Sequence, residues 1–182
     1  MNIFYLDKDP ITCAQMHCDK HVVKMIIELA QLLSTAHRVL DGEEYIDASS
    51  NRKIKRWRLN NSYENILYKA THVNHPSAVW VRESEQNYIY TYNLFVALCD
   101  EYTFRYNKVH MTDTKLRKVL ATTPRNSVSS GFTQPAQAMP EHCKDADSVT
   151  AYRKYYILEK KDILSYKKRN VPIWIKNSNE DD

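Results

Sequence analysis

The stretch Cys18–Leu33, CDKHVVKMIIELAQLL, decides the fold. Val22, Met25, Ile26, Leu29, Leu32 and Leu33 line one side of a helix, and Val23, Ile27 and Ala30 the other. Each helical residue advances about 100°. His21 and Glu28, seven positions apart, therefore share one line. His17, Lys24, Gln31 and Thr35 fall within roughly 80° of that line. The polar stripe is narrow and bounded by apolar residues, whereas a solvated helix face is broad and charged. Two readings follow. The stripe is either the wet or polar-paired edge of a partly buried helix, or it holds a carboxylate in a restricted cleft. In the second reading Glu28 is tuned for acid–base work by burial and by His21 and Lys24 beside it.

The rest of the composition favours helices. The chain has 182 residues, the size of one ordinary domain, and 43% hydrophobic content supplies a core. Only two glycines occur, Gly42 and Gly131. Tight sheet turns and phosphate-cradling loops depend on glycine, so Walker and dinucleotide-binding motifs are excluded. The formal net charge of +4 is compatible with a polyanionic partner. No apolar run approaches a membrane span, and MNIFYLDKDP meets charge by Asp7, which is unlike a secretory leader. The four cysteines are accordingly expected as reduced thiols in a cytoplasmic protein.

Periodicity and punctuation divide the chain into one mainly α domain over residues 1–176, with an acidic disordered tail over 177–182. The expected architecture is a helical bundle with an extended N-terminal arm. NIFYL forms the arm or a short strand, and a long helix covers 13–40. Further helices are expected over 51–72, 77–105 and 147–168, with a short one in TDTKLRKVL. Residues 122–140, with three prolines and one glycine, form a long irregular loop of the kind that carries function.

The pattern Asp19-x-His21-x6-Glu28-Leu29 resembles the first long helix of the phage pyrimidine-dimer DNA glycosylases (endonuclease V-type), which are also abasic-site lyases. His75 before a long helix, a late basic helical segment and the closing Pro172-Ile173-Trp174 are similar in order. The resemblance implies a DNA glycosylase and lyase, a hydrolase and lyase of DNA repair. Glu28 would be its catalytic acid, and DNA or a nucleotide its substrate. It also implies a host-cell cytoplasmic location if the chain is phage-encoded. The nucleophile would be the N-terminal α-amine, and neither metal nor cofactor would be needed. An α-amine has a pKa near 8, so a useful fraction is neutral and can attack sugar C1′. Here Asn2 follows the initiator, a poor context for methionine removal, so the amine is that of Met1. Lys24, desolvated by apolar neighbours, is a second candidate amine. The chain departs from the family where arginines flank the glutamate, carrying Ile27 and Gln31 instead. That leaves room for an enzyme acting on a modified base or free nucleotide without lyase activity. A non-catalytic DNA- or protein-binding domain is the alternative from another class.

Arg52, Lys53, Lys55, Arg56 and Arg58 around Trp57 are candidate phosphate contacts, or else a solvated basic helix face. Trp57 and Trp174 can stack on a base or fill the gap that it leaves. Arg125 and Gln134 offer hydrogen bonds from the long loop, and Lys168 belongs to a late basic group. Cys13, His17, Cys18 and His21 cluster within nine residues, but no second Cys/His pair at zinc spacing follows, so no metal site is assigned.

Overall fold

The computed structural model describes residues 1–178; the end of the expected tail, 179–182, lies outside them. The fold is mainly α. In chain order the elements are α1 (Pro10–Met16), α2 (Asp19–Asp41), β1 (Glu43–Asp47), β2 (Ile54–Arg58), α3 (Pro76–Glu83), α4 (Glu85–Tyr106), α5 (Met111–Leu120), α6 (Ser148–Glu159) and α7 (Ile173–Ser178). Residues 1–9 precede them as an extended arm, and 122–140 contain no helix or strand. Among the described residues no helix is long and apolar enough to cross a membrane.

The central helix α2 packs on α4, α3 and α5, and its apolar side, Val22, Met25, Ile26, Leu29, Leu32 and Leu33, is fully buried. The expected helix over 13–40 is in fact two. Asp9 caps α1 by accepting from the Thr12 N–H at 2.8 Å, and Pro10 opens it. His17 and Cys18 are then extended, and α2 starts afresh at Asp19. Arg105 enforces the break. Its buried guanidinium donates to the carbonyls of Gln15 at 3.0 Å and His17 at 2.9 Å, and to Asp19 Oδ1 at 3.0 Å. At its other edge it pairs with buried Glu101 at 2.8 Å, which also receives Arg169.

The helix expected over 77–105 is likewise divided. Ser84 is extended (φ −147°), and its hydroxyl caps α4 by accepting from the Asn87 N–H at 3.0 Å. The expected last helix stops at Glu159 rather than 168, and α7 extends into the stretch read as tail.

The largest correction concerns 51–72. In place of a helix, β1 and β2 pair antiparallel with Glu44 opposite Trp57, and a 3-10 turn follows at Ser62–Asn65. Arg38, near the end of α2, organises this region. Its guanidinium donates to the carbonyls of Trp57, Glu64, Leu67 and Tyr68, and to the Glu64 carboxylate at 2.7 Å. Those carbonyls are therefore withdrawn from helical pairing. Gly42 lets the chain leave α2: a Cβ there would meet the Arg38 carbonyl oxygen at 2.4 Å.

Because Arg105 is the fully buried partner of Glu101 and, among the described residues, the only donor to two junction carbonyls, its loss leaves those carbonyls unpaired and Glu101 with Arg169 alone. Arg105→Ala is expected to cost about 3–5 kcal/mol, read from urea unfolding of parent and variant.

Candidate active site

The polar stripe of α2 meets two other segments. The first is the N-terminal arm. Phe4 stacks on His21, with ring centroids 4.3 Å apart, and lies between that histidine and Tyr155. Its backbone is left-handed (φ 46°), a conformation that a bulky residue adopts only where its surroundings over-determine it. They do so here. The Phe4 carbonyl accepts from Leu6 N at 2.9 Å and Cys13 Sγ at 3.3 Å, and Arg153 Nε holds the Leu6 carbonyl at 2.9 Å. Beyond Phe4, Ile3 is buried and Asn2 is gripped on both sides. Its amide donates to the Ala138 carbonyl at 3.0 Å and its oxygen accepts from Tyr152 OH at 3.3 Å.

The second segment is Thr71–His75. Thr35, two turns beyond Glu28 on α2, exchanges hydrogen bonds with the Thr71 backbone. The chain then runs to His75, which caps α3. Three extended residues, Phe4 back to Met1, span about 10 Å. The seven helical steps from His21 to Glu28 rise by about the same distance. An arm of that length can span the distance between the two side chains, and Met1 is half-buried against the core. The electrostatics of His75 agree. Burial lowers its pKa first, the Met1 amine and His72 lower it further, and Glu28 opposes them. The α-amine and Glu28 thus both act electrostatically on His75, and the amine holds no ion pair among the described residues.

Glu28 is largely shielded, with its side chain 16% exposed, and it pairs with Lys24 at 3.2 Å. Lys24 is 67% exposed and forms the rim. His75 Nδ1 accepts from the Ser77 N–H at 3.1 Å, so the neutral ring carries its proton on Nε2. His75 entered the sequence reading only as the histidine before a long helix in the family resemblance, and no site role was assigned to it. His21 lies deeper. It is buried, hydrogen-bonded through Nδ1 to Tyr156 OH at 2.6 Å, and burial pushes its pKa down to about 3, helped by the charges of His17, Lys160 and Lys24. It positions the arm through Phe4 and stays neutral.

The basic segment lies on the hairpin. A groove of about 630 Å³ between β2 and Ala70–Asn74 is lined by Lys53, Lys55, Arg56, Trp57, His72 and Asn74, and Asn74 adjoins His75. Lys55 pairs with Glu44, Arg56 lies 3.9 Å from Asp47, and Arg58 covers the Tyr45 ring. Arg52 and Lys53 hold no ion pair among the described residues. The other candidates lie apart, and the side chains of Gln134, Lys168 and Trp174 are engaged in structure. Gln134 accepts from the Ser148 N–H at the start of α6, and Lys168 Nζ donates to the Phe104 carbonyl at the end of α4. Trp174 packs on Tyr156 beneath Arg153, and the Arg125 backbone N–H is held by Asp41.

The Cys13/His17/Cys18/His21 cluster is likewise occupied. Cys13 donates to Phe4, and burial raises its thiol pKa to about 11. His17 Nδ1 donates to the Cys13 carbonyl at 2.7 Å, leaving Nε2 buried with no partner among the described residues. Burial lowers the His17 pKa to about 4.

His17 and His21 bind protons in the unfolded chain near 6.5 but resist them when folded. The unfolded state therefore holds more protons between these values, and stability falls as pH drops from about 6.5 toward 4 and then 3. The urea midpoint is expected to decrease between pH 7 and pH 5, with a shallower decrease in His21→Gln. No protein-family model matches the chain, and no curated protein or solved structure matches it.

Proposed function

We propose that the chain is a DNA N-glycosylase with abasic-site lyase activity, using the Met1 α-amine and Glu28. The observation that carries this reading is that the Met1 amine and Glu28 both act electrostatically on His75, the residue that follows Asn74 of the basic, Trp57-lined groove. An α-amine with no ion pair among the described residues suits imine chemistry, because α-amines as a class are less basic than lysine side chains.

In this reading cations of the hairpin hold phosphates, and Trp57 offers a stacking face to a base or nucleotide out of the helix stack. The neutral amine of Met1 attacks C1′, and the C1′–N bond breaks with its electron pair leaving on the base. His75 Nε2–H donates toward the departing base or the sugar ring oxygen. Glu28 stabilises the positive charge that develops on the sugar and accepts the amine proton. Opening of the ring C1′–O4′ bond gives the imine. Loss of a C2′ proton then expels the 3′ phosphate and cleaves the strand. Lys24 lies at the rim, paired with Glu28 at 3.2 Å.

A second reading, base removal from a modified substrate without strand cleavage, is favoured by one feature. Ile27 is exposed where the family has an arginine, so the surface next to the carboxylate carries an apolar residue and Lys24 rather than arginines.

Glu28→Gln keeps shape and hydrogen bonding but removes the charge and the proton acceptor. On DNA with an abasic site and on irradiated DNA, it is expected to lower turnover about 10²–10⁴-fold. Base release and strand cleavage are followed separately: release without cleavage selects the second reading, and full activity in Glu28→Gln overturns both.

A further inference from the structure

We propose that His142, Cys143 and Glu159 form a binding site for a divalent zinc-type ion, outside the proposed Met1–Glu28 site. The ligand atoms of these three residues lie within 4.8 Å of one another, the one such group of three among the described residues. Tetrahedral zinc sets nitrogen, oxygen and sulfur ligands about 3.5 Å apart, so small rotations of the His142 and Glu159 side chains close the set. Imidazole, thiolate and carboxylate are the donor types that zinc takes, and three of them leave a fourth position for water.

The surroundings favour a cation. Glu159 is the last residue of α6, where the helix carbonyls already present negative charge, and a carboxylate there is unfavourable unless a cation accompanies it. The neighbouring lysines are engaged elsewhere: Lys154 Nζ pairs with Asp145, and Lys160 Nζ lies over the Tyr155 ring. Among the described residues the only ion-pair partner of Glu159 is His142, whose Nε2 is 2.6 Å from Oε1. The His142 and Glu159 side chains are 58% and 38% exposed, which leaves an entry path, while buried Cys143 closes the inner side. On binding, the Cys143 S–H bond breaks, the sulfur–metal bond forms, and the proton passes to water.

The position gives the ion a structural role. The 3-10 turn Glu141–Cys143 follows the segment whose Ala136 and Ala138 carbonyls hold Tyr152 and Asn2. A metal joining that turn to the end of α6 clamps the exit of the long loop, and with it the wall that holds the N-terminal arm.

The test uses the full chain after chelator treatment, titrated with Co²⁺ and followed by absorption. One equivalent is expected to give a sulfur-to-cobalt charge-transfer band with the intense visible bands of tetrahedral cobalt, and Zn²⁺ to displace it. Cys143→Ser is expected to lose the charge-transfer band. His142→Ala and Glu159→Gln, changed at exposed positions and checked for folding by circular dichroism, are each expected to weaken Zn²⁺ binding at least tenfold. Zn²⁺ is expected to raise the melting temperature of the parent and not of these variants. Absence of a saturable one-to-one band overturns the proposal. So does a band that survives in Cys143→Ser, or unchanged Zn²⁺ affinity in folded His142→Ala. None of these readouts depends on DNA chemistry.

Discussion

Arg105 is the interaction on which the rest depends. Buried in α4, it fixes the point where α1 ends and α2 begins by taking up the carbonyls that an uninterrupted helix would have used. Asp19, the first residue of α2, receives Arg105 and also the Lys167 backbone N–H at 2.9 Å. One guanidinium thus ties α1, α2, α4 and the chain after α6 together. An ion cluster of this kind contributes little net stability over a well-packed apolar core, but it fixes geometry because removing any member strands the others. What it fixes here is the starting point of α2, and hence the side toward which His21 and Glu28 point.

The N-terminal arm completes what that helix begins. A free chain end is ordinarily frayed, yet residues 3–6 are buried and Asn2 is held at both side-chain atoms. The left-handed turn at Phe4 is sustained by the His21 stack and by bonds to its carbonyl. In the proposed reaction, an arm ordered in advance would keep the entropic cost of positioning an amine out of the binding step. The same burial requires His21 to remain neutral, which links the stability of the arm's support to pH.

Much of this was legible in the sequence, and the omissions have physical causes. The apolar periodicity of α2 and α4 is strong because both are buried on a wide face, and the loop over 122–140 announces itself by proline. The breaks at His17–Cys18 and at Ser84 were hidden because the local residues tolerate a helix; Arg105 from another element imposes the first, and a serine cap the second. The hairpin was hidden because Ile54–Arg58 has no clean apolar alternation, and its partner carbonyls are claimed by Arg38, far earlier in the chain. At the candidate site, Glu28 was readable from its line on α2 and Met1 only through a family resemblance. His75 was named through the resemblance but given no site role, because its electrostatic link to Glu28 depends on the path of the 71–75 segment, which no local pattern encodes.

The central claim is that the Met1 amine, not a lysine, is the reacting group. It is tested most directly by incubating the chain with abasic-site DNA under borohydride and mapping the covalent adduct by peptide mass spectrometry. The account predicts a single adduct on the N-terminal peptide at Met1, absent when the α-amine is blocked. An adduct at Lys24, or no adduct while the DNA is cleaved, would contradict it.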